Sequence, residues 1–234
     1  MYQRVFKRLL DIVCALLALV VFCWLYALVA ILVRVKLGSP VLFKQIRPGK
    51  KGKNGQEKLF TLYKFRTMTD EKDADGNYLP DEIRLTKFGA FLRSTSLDEL
   101  PEALNILKGD MSVIGPRPQL VRDMVFMTDE QRKRHDVCPG LSGYAQVRGR
   151  NAISWEDKLD CDLKYIQHIT FMGDLKIVIQ TVGKALKRED ISAEGMATVD
   201  DYGDTLLKDG RIDKEYYMKK QKEAEELLLE FKQL

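Results

Sequence analysis

An α+β fold is predicted for this chain of 234 residues: an N-terminal membrane-embedded helix, read as re-entrant, then a small β-hairpin and several short helices forming a membrane-associated domain. Three observations predict it. The first 53 residues hold ten basic side chains and one acidic one, Asp11, so they carry +9, and the total of +4 leaves −5 for the remainder. Between basic clusters, residues 12–33 form a run of 22 without a charge. Beyond it, two stretches rich in aromatic and branched side chains, 41–46 and 58–66, flank the Gly- and Lys-rich PGKKGKNGQ, and helical spacing takes over after residue 98.

The uncharged run comes first. As a helix it reaches roughly 33 Å, one bilayer core. It is long for a signal peptide, and no small-residue cleavage site follows it. A buried core helix is the other reading, and basic collars at both ends speak against it. Arg4, Lys7 and Arg8 precede the run; Arg34, Lys36, Lys44 and Arg47 follow it. A simple span would leave one collar on the unfavoured side, whereas a segment entering and leaving by the cytoplasmic face satisfies both. No Pro or Gly lies between residues 9 and 37 to break the helix. Span and hairpin both stay open on the residues alone, with the collars favouring the hairpin. The chain then divides into an anchor (1–37), a cytoplasmic domain (38–200) and a C-terminal connector with an amphipathic helix (201–234). Because the basic charge sits on the anchor, a general nucleic-acid binder is excluded.

Composition limits the chemistry. The cysteines Cys14, Cys23, Cys138 and Cys161 form no CxxC pair, which suits a reducing compartment without a structural zinc or disulfide framework. His135 and His168 are the only histidines, and His135, within RKRHD, reads as a solvated surface residue. Catalysis must therefore rest on carboxylates, with or without a carboxylate-bound metal. Gly38-Ser39-Pro40 stops the first helix, and PGKKGKNGQ makes the hairpin loop. Lys64 and Arg66 then share one face of the second strand, either as solvated edge charges or as an anion site. Residues 69–82 read as a loop; their aspartates lack the closing Glu of a calcium site.

RSTSLDELPE (93–102) carries the most information. Leu100, Ala103, Leu104 and Leu107 recur at helical spacing and Lys108-Gly109 supplies a stop, so a helix is expected from about 98 to 108. With Asp98 as its cap, Pro101 falls in the first turn, where a missing N–H costs little. Capping alone accounts for these residues, and Ser96 with Glu99 even matches a capping box. The functional alternative keeps Asp98 ionised at the helix dipole as a nucleophile, while Glu99, turned by about 100°, holds a divalent cation. Downstream, two prolines stiffen the loop around Arg117, which favours recognition of phosphate. A Gly-rich segment, PGLSGYAQVRGRN (139–151), adds arginines and amides but no Walker ending.

These motifs in order, KRLLD (7–11), YKFRTM (63–68), RSTSLDELPE (93–102), KGDMSVIGPRP (108–118), PGLSGYAQVRGRN (139–151) and GDLKI near Asp174, resemble the small monotopic phosphoglycosyl transferases of the bacterial sugar transferase family over roughly residues 1–200. The resemblance implies Mg²⁺-dependent transfer of a sugar-1-phosphate from a UDP-sugar to a polyprenol (undecaprenyl) phosphate at the cytoplasmic face of the bacterial inner membrane. It implies that Asp98 attacks the β-phosphate and releases UMP, and that Glu99 coordinates Mg²⁺. Lys64, Arg93 and Arg117 would meet phosphates, and Gln146, Arg150, Asn151 and Asp162 would help form the substrate pocket, although Asp162 and Asp174 can equally be structural. Family members often carry a Ser-Pro break in the membrane segment; Phe22-Cys23-Trp24-Leu25 stands here instead. The GRNAISW run (149–155) resembles members acting on N-acetylated sugars, with galactose or glucose phosphate as the runner-up. An inactive membrane-anchored scaffold and a UDP-sugar hydrolase are the competing functions. In the tail, Asp213 is expected to cap a helix whose apolar face, including Tyr217, Ala224, Leu227 and Leu228, packs on its own domain or on a partner such as a second copy.

Overall fold

The apolar run folds as two helices. In the computed structural model, which describes residues 2–149, 153–187 and 200–233, α1 (Lys7–Val21) and α2 (Cys23–Leu37) meet at Phe22 with a bend of 66°. Among the described residues no single helix is long and apolar enough to cross a membrane. Phe22 leaves helical geometry (φ −102°, ψ 15°) without a proline, so the cause of the break lies in packing. The first arm lays Ala15 and Leu19 on Phe60, Ala103 and Ile106; the second packs Val29 and Val33 with Phe65 and Leu92. Each arm grips a different surface of the domain, and a straight helix could not reach both.

Polar contacts fasten the same segment. Asp11 accepts hydrogen bonds from Ser112 Oγ (3.0 Å) and the Val113 N–H (2.8 Å), and Lys7 pairs with Asp174 at 2.6 Å. Arg8 donates to the carbonyls of Ile106 and Leu107, and the Tyr26 hydroxyl to that of Leu100 at 2.6 Å. The opposite faces of the two arms expose Leu17, Val20, Trp24, Ile31 and Val35.

The hairpin follows as β1 (Leu42–Lys51) and β2 (Glu57–Phe65), antiparallel, with Phe43 opposite Lys64 and Arg47 opposite Phe60. The first strand runs on through Pro48 and Gly49, which sequence assigned to the loop; an irregularity between Pro48 and Lys51 absorbs the proline at the hairpin's end. Arg66 does not share the fate of Lys64. Its guanidinium turns back to the Leu37 and Ser39 carbonyls and to Asp70, holding the chain where it leaves α2.

Next come α3 (Asp81–Arg84) and α4 (Lys87–Ser94), the latter capped by Thr86 Oγ1 accepting from the Gly89 N–H at 3.0 Å. A Cβ at Gly89 would stand 1.7 Å from the Thr67 carbonyl oxygen, so only glycine lets α4 lie against the exit of β2. A 3₁₀ turn at Leu97–Glu99 precedes α5 (Glu102–Lys108). The expected helix from 98 therefore starts at 102. Pro101, lacking an N–H, cannot bond back to the preceding turn, which instead closes by Glu99 N–H to Ser96 O (3.1 Å) and Leu100 N–H to Leu97 O (3.4 Å).

β3 (Ser112–Ile114) leads through α6 (Val121–Met124) and a 3₁₀ stretch, Gln131–Asp136, to β4 (Gly140–Ser142), which pairs with it in parallel. A Cβ at Gly140 would lie 2.0 Å from the Gly115 nitrogen, so these two loops meet backbone to backbone. α7 (Tyr144–Arg148), α8 (Trp155–Gln167), α9 (Phe171–Lys187), α10 (Tyr202–Lys208) and α11 (Lys214–Gln233) complete the chain. Tyr202, Leu206 and Ala224 enter one core with Val121, Met124, Phe126, Trp155 and Leu159, and Tyr217, Leu227 and Leu228 pack against it. The tail helix thus rests on its own domain, with Asp213 Oδ1 accepting from the Tyr216 N–H at 2.7 Å as its cap.

Candidate active site

Four segments converge on one cluster. β2 delivers Lys64, α4 brings Arg93 beside Thr67, the turn at 97–99 presents Asp98 and Glu99, and the Gly115–Pro118 loop presents Arg117. Ser96, just before the turn, has φ +55°, the only positive φ at a non-glycine among the described residues. A strained residue two positions before a carboxylate pair fixes the direction in which that pair leaves the backbone.

Glu99 is tied down. Its Oε1 receives Lys64 Nζ at 2.8 Å and Arg117 Nη2 at 2.7 Å, and Lys64 also reaches Glu102 Oε1 at 3.2 Å. Asp98, only 7% exposed, takes no hydrogen bond or ion pair among the described residues. Two adjacent carboxylates thus stand in opposite conditions. Burial, joined by the charge of Glu99, pushes Asp98 up to about 6, against the pull of Lys64, Arg117 and Arg93. Burial also works to raise Glu99, but Arg117 and Lys64 outweigh it and hold that group far below the usual carboxylate range. Glu102 is driven up to about 7 by burial and by Glu99. The expected dipole effect at Asp98 is corrected here: Asp98 lies in a 3₁₀ turn ahead of a seven-residue helix, and desolvation with its neighbours sets its proton affinity.

The stiff loop around Arg117 has a support that sequence reading missed. Arg134 donates to the Arg117 carbonyl at 2.6 Å and, out of solvent, to Asp162 Oδ2 through Nε (2.9 Å) and Nη2 (2.6 Å). Asp162 therefore stands behind the loop, outside the carboxylate cluster. His135, expected on the surface, is 2% exposed. Its Nδ1 lies 3.2 Å from Glu57 Oε1, and its Nε2 lies 3.3 Å from Arg134 Nη1. An arginine can only donate, so Nε2 accepts and Nδ1 carries the proton. Burial, with Arg134 and Arg132 nearby, lowers His135 to about 4. The run RKRHD looked solvated because its basic residues gave no sign of Glu57, 78 positions away, which also binds Arg132.

Gln146 sits on α7; its amide donates to the Leu141 carbonyl at 3.4 Å and its buried Oε1 has no partner among the described residues. Arg150 and Asn151 lie outside the described residues. Asp174 accepts from Tyr2, Lys7 and Tyr165 and joins α9 to the N-terminal segment. Glu102 and Arg47 were not singled out for the site; the three-residue spacing of Glu102 from Glu99 in LDELPE was the available signal for the first.

A family model described as bacterial sugar transferase matches residues 2–188. The Bacillus subtilis (strain 168) protein named "Uncharacterized sugar transferase EpsL" is 49% identical over 196 residues, covering 84% of this chain and 95% of that protein. The UDP-glucose:undecaprenyl-phosphate glucose-1-phosphate transferase of Klebsiella pneumoniae is 38% identical over 192 residues, which are 78% of this chain and 40% of that one. The UDP-N-acetylgalactosamine-undecaprenyl-phosphate N-acetylgalactosaminephosphotransferase of Aeromonas hydrophila is 36% identical, over 75% of this chain and 42% of its own length. This chain thus spans less than half of the latter two. The match over most of the chain, together with the carboxylate and cation cluster it contains, shows that the chain belongs to the bacterial sugar transferase family.

Proposed function

We propose that the chain moves a sugar-1-phosphate from a UDP-sugar to a polyprenol phosphate through a covalent intermediate on Asp98. An Asp98 Oδ attacks the β-phosphorus, the bond from that phosphorus to the α,β-bridging oxygen breaks, and UMP leaves with the bridging oxygen. A phosphate oxygen of the polyprenol phosphate then attacks the same phosphorus, the aspartyl bond breaks, and a polyprenyl diphosphate sugar departs. The observation carrying this reading is the contrast between a buried Asp98, unpaired among the described residues, and a Glu99 held by two cations. A carboxylate that no cation occupies keeps its lone pairs for attack, whereas one that fixes two cations places charge for the phosphates. Lys64, Arg93 and Arg117 supply positive charge for the phosphates, Gln146, Arg150 and Asn151 belong to the donor pocket, and Asp162 acts through Arg134.

The donor set suits Mg²⁺. Among the described residues no three His, Cys, Asp or Glu side chains form a ready-made ligand group, and Mg²⁺ ordinarily takes one or two carboxylates, waters and substrate phosphates. Glu99, with Asp98 beside it, offers oxygen donors only. When bound, the ion supplies positive charge against the repulsion between an anionic nucleophile and a diphosphate.

The bent arms of α1 and α2, their apolar outer faces and the basic collars support a re-entrant hairpin on the cytoplasmic face of the bacterial inner membrane. An N-acetylated UDP-sugar is the donor we propose, from the resemblance of residues 149–155. The relatives' named sugars, which include glucose and galactose beside N-acetylgalactosamine, keep galactose or glucose phosphate as the second reading. Purified protein with Mg²⁺, undecaprenyl phosphate and a panel of UDP-sugars tests it: UMP release with N-acetylated donors is expected. No release with any donor would overturn the transfer reading.

A further inference from the structure

Arg47 is a cation that the proposed reaction leaves without work. In the register of the hairpin Phe43 faces Lys64 and Arg47 faces Phe60, so Lys64 and Arg47 leave the same face of the sheet. The guanidinium donates to Gln45 Oε1 at 2.5 Å and to the Pro118 carbonyl at 3.2 Å, next to Arg117, and its buried Nε has no partner among the described residues. Among the described residues no carboxylate pairs with it. Burial and the nearby Arg117 lower its proton affinity, to about 10, while Asp123 and Glu102 oppose them only from a distance. A half-buried guanidinium with a buried Nε, facing neutral acceptors and a second arginine, is a costly arrangement. Around it, Lys64, Arg93, Arg117 and Arg47 stand with Asp98, Glu99 and Glu102, and the charges of Asp123 and Arg122 also reach Arg47. Among the described residues Arg47 hydrogen-bonds only neutral acceptors, and an oxyanion supplies the missing counter-charge.

We propose that Arg47 is a phosphate-binding residue: presented beside Arg117 by the Pro118 carbonyl, it receives an oxygen of a phosphate or diphosphate ligand. The proposal rests on the transfer reading only for its two sources of phosphate, the nucleotide-sugar diphosphate and the polyprenol phosphate. Binding without turnover tests it. The full chain in nanodiscs is titrated with inorganic pyrophosphate, with UMP and with a polyprenyl phosphate, and uridine serves as the phosphate-free control. R47M is expected to weaken at least one phosphate ligand by roughly tenfold, the effect of one charge-assisted pair, and to leave uridine unchanged. Loss for pyrophosphate and UMP assigns the donor; loss for the polyprenyl phosphate alone assigns the acceptor. R47K, which keeps the charge without the fork, is expected to fall between R47M and the wild type. In the R47M/R117M double variant the loss should exceed that of R117M by a further factor of about ten.

Unchanged affinity of R47M for all three ligands overturns the proposal. So does a double variant no weaker than R117M, because Arg47 would then act only by holding the Arg117 loop. If R47M does not fold, R47K decides, and wild-type affinity for every ligand overturns the proposal. Failure of the wild type to release UMP would sink the transfer reading and leave these binding results standing.

Discussion

Asp98 and Glu99 are neighbours in sequence with opposite electrostatics, and that difference comes from what faces them across the fold. Lys64, 35 positions away, and Arg117, 18 positions away, both settle on Glu99. No spacing rule applied to LDELPE could have shown this, although the pair itself was legible as two carboxylates ahead of an apolar helical pattern. The sign of the pH response follows. A protonated Asp98 cannot attack, so kcat/KM for UMP release should fall tenfold per pH unit below about 6 and level off above it. An acid limb still near 4, the value of an ordinary Asp, would contradict the burial argument. Replacing Glu99 by Gln removes the anchor shared by Lys64 and Arg117, and a loss of at least about a hundredfold in kcat is expected. Retention of wild-type kcat would show that Glu99 only caps the turn.

At the scale of elements, the Arg117 loop depends on contacts far from it in sequence. Asp162 on α8 holds Arg134, which holds the Arg117 carbonyl. Asp162→Ala leaves a buried guanidinium unpaired, at a cost of about 3 kcal/mol in stability. Denaturant unfolding measures it; a change under about 0.5 kcal/mol would refute the clamp. The neighbouring His135 makes the fold acid-sensitive. Its folded value lies below its unfolded one, so the unfolded chain binds more protons between about 6.5 and about 4, and stability falls as pH drops through that window. The full effect of this one group is about 3 kcal/mol. His135→Gln should flatten the melting temperature across this range, and an unaltered slope would contradict the assignment. The hairpin and the segment following residue 98 were legible from alternation and helical spacing. The bend at Phe22 was not, since its cause is the docking of the two arms on Phe60, Ile106, Phe65 and Leu92 rather than a breaker residue.

For the whole molecule, the two ends of the chain are bound into the domain by different means. The N-terminal segment is tied by Lys7, Arg8 and Asp11, which explains in physical terms why KRLLD carries charge at the edge of an apolar run. Cysteine placed at position 4 or 36 should resist a membrane-impermeant thiol reagent added outside intact cells, as a hairpin requires; labelling of either would favour a span. The C-terminal segment lies beyond the residues matched by the family model, yet Tyr202 and Ala224 are buried in the core with Phe126 and Trp155. Removing residues 200–233 should therefore give aggregation or a lower melting temperature, and an unchanged melting curve would show that the segment is dispensable. The charge asymmetry marks the N-terminal segment that docks on the domain, whereas Lys64, Arg93 and Arg117 come from the acidic remainder.

The central claim is the covalent step on Asp98, and intact-protein mass spectrometry tests it most directly. Protein incubated with Mg²⁺ and its UDP-sugar, without polyprenol phosphate, and then quenched in acid should gain the mass of one phosphosugar, mapped to the peptide containing Asp98 and absent from Asp98→Asn. UMP release by the wild type with no adduct at any quench time, or an adduct that persists in Asp98→Asn, would contradict the account.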